Sequence, residues 1–382
     1  KTAEPRLPKQ KGTVLDEVKE IIELPGKAAK YQQDPNAIEL HPQVIQQLED
    51  YVSSIARMYR QNAFHSFDHA SHVVQSVTKI LSRVVTPDSI DYHEMAYKQP
   101  KGAAKLHEYT YGITSDPLTQ FACAFSALIH DVDHSGVPNA VLVNEQTDLA
   151  SHYKNKSVAE QNSVDLAWEL LNQPEFQALR ACIYSTKEEL CRFRQLVVNS
   201  VMATDIMDKD LGSLRKARWD KAFAEDERLL EDSDDPTATP SSTTSTTKTT
   251  SQSSHRRHEE SSQIATNRKA TIVIEHLIQA SDVSHTMQHW HVYLKWNERL
   301  FHEMYAAFKS GRSPEDPSTN WYEGELGFFD FYLIPLAKKL ATCGVFGVTS
   351  DEYLLYAEAN RQEWEMKGKE IVEGYLSHYG RH

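Results

Sequence analysis

Apolar residues recur at three- and four-residue steps along most of the chain, which is the spacing of an amphipathic helix. After Pro42 one helical face carries Val44, Ile45, Leu48, Val52, Ile55 and Met58. Similar spacing continues through residues 65–84, 118–128 and 272–308. No stretch of useful length alternates between apolar and polar residues, as a half-buried strand does. The pattern predicts an all-α protein, an irregular bundle of many helices rather than a four-helix bundle.

Capping residues mark where two of these helices begin. Asp116 is a good N-cap and Pro117 follows it at the first helical position, so a helix is expected from there to Leu128. Ser185 and Thr186 are each followed three residues later by a glutamate, which gives two overlapping capping boxes. These boxes predict the start of a long helix.

Two segments depart from this pattern. Residues 1–35 are expected to form a Lys- and Pro-rich linker followed by a short N-terminal helix, whose weak period covers residues 14–24. Residues 232–263 interrupt the pattern, and residues 241–254 are almost wholly Ser and Thr. Because such a segment buries no apolar surface, we predict that it is disordered.

Composition and charge argue against some classes of protein. With 382 residues, 40% of them hydrophobic, the chain can bury a sizeable core, and its net charge of −13 argues against nucleic-acid binding. Its four cysteines form no C-x-x-C motif, so we expect reduced thiols and a cytoplasmic location. No apolar run approaches the roughly 18–20 residues that span a bilayer. The chain begins at Lys1 rather than Met, so it is expected to be a fragment.

Two histidine clusters carry the candidate chemistry. An apolar helical run leads into His130, Asp131 and His134, and buried His and Asp side chains are costly without a partner. Upstream, His65 and His69 are four residues apart and share a helix face. Each cluster alone is compatible with a polar helix end or a histidine-bearing surface helix. Together they favour a metal site assembled from separate helices.

With these clusters the sequence resembles the catalytic domain of class I 3′,5′-cyclic nucleotide phosphodiesterases, which belong to the HD superfamily of metal-dependent phosphohydrolases. Further matches follow in the family's order: residues 157–162 (family S-V-L-E-N-H), 201–206 (V-L-A-T-D-M), 280–284 (A-D-[IL]-S-N) and 325–331 (Q-x-G-F-x-D-F). The resemblance implies a compact multi-helix catalytic domain over residues 36–382. The Ser/Thr-rich segment is then an insertion within it, because matches continue on both sides.

The resemblance also implies two divalent metals, about 3.5–4 Å apart. Zn²⁺ would occupy the first site, with four protein ligands: His69, His130, Asp131 and Asp282. Asp131 would bridge to Mg²⁺ or Mn²⁺ in a second, water-rich site. A hydroxide held between the metals would attack phosphorus and convert a 3′,5′-cyclic nucleotide to a nucleoside 5′-monophosphate.

Three further residues have catalytic positions in this resemblance. His65 is the expected general acid for the 3′ leaving oxygen, which requires a protonated imidazole and therefore a carboxylate neighbour. Glu160 is the candidate for that neighbour, or for ordering water near the second metal. His134 is expected to contact the phosphate or a metal-bound water, with a helix-capping role as the alternative.

Six residues match the family's substrate pocket: Phe328, Leu300, Glu325, His285, Tyr293 and Asn297. Phe328 and Leu300 match the residues on the two faces of the purine. Glu325 replaces the purine-binding Gln and His285 replaces the usual Asn, while Tyr293 and Asn297 are also compatible with a core role. A carboxylate only accepts hydrogen bonds, so it suits guanine N1–H and N2–H₂ and repels adenine N1. If Glu325 contacts the base, cyclic GMP is favoured over cyclic AMP.

Three alternatives to a cyclic nucleotide phosphodiesterase stay open: another HD-type phosphohydrolase, an inactive cyclic-nucleotide-binding module and a helical scaffold. The expected partner is the cyclic nucleotide substrate, with no nucleic acid and no membrane segment in this chain. The resemblance is compatible with a homodimer. It is also compatible with a regulatory or nucleotide cyclase domain before residue 1, as part of a longer and even membrane-anchored protein.

Overall fold

A computed structural model describes residue 5 and residues 12–27, 38–84, 100–233 and 252–380. Within these ranges the chain forms fifteen α-helices and no β-strand. They are α1 (Pro42–Met58), α2 (Phe67–Ser82), α3 (Pro100–Tyr109), α4 (Pro117–Ile129), α5 (Asn139–Asn144), α6 (Asp148–His152), α7 (Val158–Leu171), α8 (Gln177–Ile183), α9 (Lys187–Met202), α10 (Lys209–Ser233), α11 (Gln252–Asp282), α12 (Trp290–Lys309), α13 (Trp321–Phe328), α14 (Ile334–Thr342) and α15 (Val348–Tyr379). The all-α prediction is confirmed.

Helix α4 lies at the centre of the bundle, packed against α2, α9 and α11. It begins as the sequence predicts, with Asp116 at the N-cap and Pro117 in the first turn. Its apolar side chains are buried on several faces, which a central helix requires. Because α2 and α11 also pack on each other, the start of α2 and the ends of α4 and α11 come together.

Helix α9 confirms one of the two predicted capping boxes. Thr186 Oγ1 accepts a hydrogen bond from Glu189 N–H at 3.1 Å, and Glu189 Oε2 accepts one from Thr186 N–H at 3.2 Å. Ser185 also donates to Glu189, through its N–H and its hydroxyl, rather than pairing with Glu188. A single glutamate therefore serves both candidate caps.

The N-terminal segment differs from the predicted helix. Only Val14–Glu17 is helical, as a 3₁₀ turn, and the chain then runs without regular structure across α9 and α11. Ile22 N–H donates to Thr271 Oγ1 of α11 at 2.9 Å, and the Ile22 side chain is buried. The weak apolar period thus comes from side chains that enter the core from an irregular segment. Most of the predicted linker, apart from Pro5, Gly12 and Thr13, lies outside the described residues.

The predicted insertion lies between α10 and α11, which pack against each other. Helix α10 extends to Ser233 and α11 begins at Gln252, so both edges of the predicted segment are helical. Residues 234–251, which include most of the Ser/Thr run, lie outside the described residues. No helix in the described part of the chain is both long and apolar enough to cross a membrane.

A buried ion pair joins α10 to α11. The Arg218 guanidinium is fully buried and bonds the Glu275 carboxylate, whose side chain is 4% exposed. Arg218 Nη2 also donates to the Lys19 carbonyl oxygen at 3.0 Å, so the pair anchors the N-terminal segment as well. Removing one member would leave the other charge buried without an oppositely charged partner.

We therefore expect Arg218→Met to lower the free energy of unfolding by about 3–5 kcal/mol, measured by urea denaturation. The double variant Arg218→Met with Glu275→Leu should recover much of the loss, because no buried charge remains. Lys216→Ala is the control, since Lys216 pairs with Asp220 on the exposed face of the same helix and should change stability by less than about 1 kcal/mol. Equal losses in Arg218→Met and Lys216→Ala would contradict a structural role for the buried pair.

Candidate active site

The four predicted metal ligands form one cluster where α2, α4 and α11 meet. His69 lies in the first turn of α2, His130 and Asp131 follow α4, and Asp282 is the last residue of α11. His69 Nε2 lies 3.0 Å from Asp282 Oδ1, and His130 Nε2 lies 3.4 Å from the same oxygen. Asp131 Oδ2 is 3.1 Å from His130 Nε2 and 3.7 Å from His69 Nε2. The sequence thus predicted a real spatial cluster.

The donor atoms of this cluster fit a divalent cation. His130 Nδ1 lies 2.9 Å from the Ala127 carbonyl oxygen, which only accepts, so Nδ1 carries the proton and Nε2 presents its lone pair. His130 Nε2 and Asp131 Oδ2 are buried without a hydrogen-bond partner. Buried lone pairs without a donor are costly, and a cation would satisfy them. A mixed set of imidazole nitrogens and carboxylate oxygens is typical of zinc and related ions.

His65 lies just before α2 and is held by Glu303 of α12. Its Nδ1 is 2.5 Å from Glu303 Oε1, while Glu303 Oε2 accepts from the backbone N–H groups of Phe64 at 2.7 Å and His65 at 3.0 Å. Burial disfavours the charged imidazole, but the Glu303 carboxylate outweighs it and raises the pKa of His65 to about 9. His65 is therefore protonated at neutral pH.

The carboxylate neighbour of His65 is thus Glu303, and the prediction that Glu160 could fill this role is wrong. Asn139 Nδ2 donates to Glu160 Oε2 at 2.8 Å, and also reaches Asp205 Oδ2 at 3.4 Å. Burial and the nearby Asp205 carboxylate raise the pKa of Glu160 to about 8. The alternative role of Glu160, ordering water near a second metal, stays a prediction.

Sequence reasoning missed Glu303, although one signal was present. The residue lies three positions after Leu300 on the buried face of α12, and its side chain is only 6% exposed. A carboxylate on an apolar helix face needs a partner, so its position is informative. The identity of that partner, 238 residues away along the chain, is not a local property.

His134 packs beside the charged histidine. The two rings have centroids 3.8 Å apart, and Asn62 Nδ2 donates to the carbonyl oxygens of both His65 and His134. Burial and the positive charge of His65 lower the pKa of His134 to about 3, so this imidazole is neutral. Its Nδ1 accepts from Gly136 N–H at 3.2 Å, which leaves the proton on Nε2. The site therefore pairs one charged and one neutral imidazole donor.

Three of the predicted substrate-binding residues form a hydrogen-bonded chain. Tyr293 donates its hydroxyl proton to Glu325 Oε2 at 2.7 Å, and Asn297 Nδ2 donates to the Tyr293 oxygen at 3.4 Å. The other end of the Asn297 amide, Oδ1, accepts from Trp321 Nε1 and from the Tyr375 hydroxyl, each at 3.2 Å. Because an indole N–H only donates, this chain fixes the orientation of the Asn297 amide.

The other three predicted pocket residues lie at different depths. Phe328 is half-buried and stacks on Tyr332, with ring centroids 5.3 Å apart. Leu300 is half-buried on α12. His285 is buried against the rings of Phe64 and Trp296, and burial followed by the neighbouring histidines holds its pKa well below the usual range. The contact of these residues with a substrate stays a prediction.

A cleft of about 590 Å³ opens beside Glu325. Met304 of α12 lines its wall, one residue after Glu303, which bonds His65. None of the four predicted metal ligands lines this cleft. Helix α12 contributes Met304 to the cleft wall and Glu303 to the contact with His65. The cleft volume lies within the range of small-molecule sites.

Comparison with known proteins places this arrangement in a family. The sequence model of the family described as 3′5′-cyclic nucleotide phosphodiesterase matches residues 64–345. A probable 3′,5′-cyclic-AMP phosphodiesterase of Caenorhabditis elegans is 24% identical over 303 residues, covering 77% of this chain and 36% of that protein. The 3′,5′-cyclic-AMP phosphodiesterase 4C of Mus musculus is 24% identical over 301 residues, covering 75% and 38%. The chain therefore spans little more than a third of the length of these relatives.

Solved structures agree on the fold. The phosphodiesterase domain of a rhodopsin phosphodiesterase fusion protein from Salpingoeca rosetta superposes with a TM-score of 0.58 at 20% identity, covering 88% of each chain. A second structure of the phosphodiesterase domain from the same organism gives 0.56 at 19% identity, over 88% of this chain and 84% of that one. Because the family match covers most of the sequence and includes both histidine clusters, this chain belongs to the 3′,5′-cyclic nucleotide phosphodiesterase family.

Proposed function

We propose that this chain hydrolyses 3′,5′-cyclic nucleotides to nucleoside 5′-monophosphates and so ends cyclic-nucleotide signals. The observation that carries the proposal is the cluster of His69, His130, Asp131 and Asp282 next to the His65–Glu303 pair. The cluster suits a metal, and the pair supplies a protonated acid at neutral pH. These are the groups that hydrolysis of a stable anionic phosphodiester needs.

The proposed cofactors are Zn²⁺, which this cluster would hold, and Mg²⁺ or Mn²⁺, which Asp131 would help to hold beside it. The two buried imidazole nitrogens support zinc at the first site. Carboxylate oxygens support a hard cation at the second site, near Asp131. When bound, the metals supply an activated water and neutralise charge on the phosphoryl oxygens.

The side chains of the site hold and move protons in this proposal. The His65 imidazolium, fixed by Glu303, donates its Nε2 proton to the 3′ oxygen as the P–O bond breaks. Neutral His134 donates its own Nε2–H to a phosphoryl oxygen without adding charge. Glu160, held by Asn139, would order water near the second metal site.

For the base, we propose that Phe328 and Leu300 hold its two faces and that Glu325 reads its edge, assisted by Tyr293, Asn297 and His285. The hydrogen bond that Tyr293 donates to Glu325 Oε2 fixes the orientation of the carboxyl group. An ionised carboxylate only accepts, which favours cyclic GMP over cyclic AMP.

The test is the identity of the product and its dependence on metal. The purified chain should convert a cyclic nucleotide to the 5′-monophosphate, lose turnover after chelation and regain it when Zn²⁺ with Mg²⁺ is restored. A 3′-monophosphate product would contradict the assigned role of His65. Nucleotide binding without turnover by the metal-loaded chain would instead support an inactive binding module.

The location, oligomeric state and neighbouring domains of this chain are proposed separately. We propose that it acts in the cytoplasm, as a homodimer, and as part of a longer protein with a regulatory or cyclase domain N-terminal to it. The fusion protein that provides the similar solved structure supports a multidomain arrangement. Light scattering of the purified chain tests the dimer directly, since a monomer mass would contradict it.

A further inference from the structure

The groups that surround the Glu325 carboxyl are uncharged or acidic. The groups facing it from the packed helices are uncharged: Tyr293 and Asn297 of α12 and Tyr375 of α15. Across the cleft, the charged residues that line the wall are the acidic Glu315 and Asp316. No Lys, Arg or His is found among the described residues that line this cleft. Burial raises the pKa of Glu325 to about 7, although Tyr293 and Asn297 partly oppose the shift.

The hydrogen-bonded chain behind Glu325 has a fixed direction. Trp321 Nε1 donates to Asn297 Oδ1, Asn297 Nδ2 donates to the Tyr293 oxygen, and the Tyr293 hydroxyl donates to Glu325 Oε2. Glu325 Oε2 is therefore an acceptor in both protonation states. The proton of the neutral acid is therefore placed on Oε1, the oxygen that does not accept from Tyr293.

We propose that Glu325 reads the purine in two protonation states, as an ionised carboxylate that selects guanine and as a neutral acid that pairs with either purine. This inference rests on the proposed function, because it assumes that Glu325 meets the base. The neutral acid offers a donor at Oε1 and an acceptor at Oε2, which match adenine N1 and N6–H₂, or guanine O6 and N1–H. The carboxylate offers acceptors only, which match guanine N1–H and N2–H₂.

These pairings determine how the preference between cyclic AMP and cyclic GMP changes with pH. As pH rises through the pKa of Glu325, the proton on Oε1 is lost and adenine N1 then faces a negatively charged acceptor. Turnover of cyclic AMP should fall relative to that of cyclic GMP. Neither base changes its protonation in this range. Tyr293 and Tyr375 do not titrate there either, because burial raises the pKa of both phenols above the usual value.

The experiment is the ratio of kcat/KM for cyclic GMP to that for cyclic AMP, measured from about pH 5.5 to about pH 8.5 around the pKa of about 7. The metal-loaded chain should show a rise of about tenfold, the effect of one unmade buried hydrogen bond. Ionisations at the metal site cancel in the ratio, since both substrates undergo the same phosphodiester chemistry. Glu325→Gln should give a ratio that does not change with pH.

Two further variants complete the test. Glu323→Gln removes an exposed carboxyl from the same helix and should keep the pH dependence of the native chain. Tyr293→Phe removes a hydrogen bond that lowers the pKa of Glu325, so the rise should move to higher pH. The shift in Tyr293→Phe tests the inference even if Glu325→Gln does not fold.

A constant ratio in the native chain, or the same slope in Glu325→Gln, would overturn the inference while leaving hydrolysis intact. An unmoved transition in Tyr293→Phe would also count against it. Failure to hydrolyse either nucleotide at any pH would overturn the proposed function itself, so the two failures are distinguishable.

Discussion

Replacing Asp282 with Ala is expected to lower kcat for cyclic nucleotide hydrolysis by about three orders of magnitude and to reduce the bound divalent metal. Asp282 Oδ1 lies within 3.4 Å of both His69 Nε2 and His130 Nε2, so it completes the cluster from the third helix. Loss of one ligand removes several kcal/mol of transition-state stabilisation, and each 1.4 kcal/mol corresponds to about tenfold in rate. Metal content and kcat should be measured on the same preparation.

The matched control is Asp220→Ala, which removes an exposed carboxylate of α10 and should change neither quantity. Full activity in Asp282→Ala at unchanged metal content would show that this carboxylate is not a ligand. Loss of activity with full metal content would place Asp282 in substrate binding rather than metal binding.

Replacing His65 with Ala is expected to lower kcat by about 10²–10⁴-fold, the usual contribution of a positioned acid.

Replacing Glu303 with Gln should change activity through its effect on the His65 imidazole. The raised pKa of about 9 keeps His65 protonated through neutral pH, and activity should fall as pH rises through that value. Without the Glu303 charge the pKa of His65 should drop, so the alkaline limb of the kcat profile moves to lower pH.

Glu298→Gln is the control for this pair. It lies on the same helix, but its carboxylate accepts a hydrogen bond from Tyr379 rather than from His65. The profile of Glu298→Gln should match that of the native chain. If Glu303→Gln lowers kcat without moving the alkaline limb, Glu303 only supports the fold at this position.

The features that could be predicted from the sequence are those set by residues close together along the chain. Asp116 and Pro117 placed the start of α4, and Thr186 with Glu189 placed the start of α9, because caps and first turns are local. The four-residue spacing of His65 and His69 indicated a shared face, although only His69 lies in α2 and His65 lies just before it. The four predicted metal ligands, which the family resemblance implied, lie together in the structure.

Features that depend on contacts between segments far apart along the chain could not be predicted in this way. The partner of His65 is on α12, and the N-terminal segment packs on α11 through Ile22 although its sequence suggested a helix. The direction of the hydrogen-bonded chain behind Glu325 depends on an indole N–H from another helix. Side-chain identity indicates that such groups need partners, while tertiary packing decides which partners they have.

Hydrolysis of cyclic nucleotides by this chain is best measured beside a linear substrate of the same chemical class. The purified, metal-loaded chain is incubated with cyclic AMP, cyclic GMP and a linear phosphodiester, and kcat/KM is compared. We expect turnover of both cyclic nucleotides, greater for cyclic GMP above the pKa of Glu325, and little turnover of the linear ester. Preferential hydrolysis of the linear ester, or no turnover of any of the three, would contradict the proposed function.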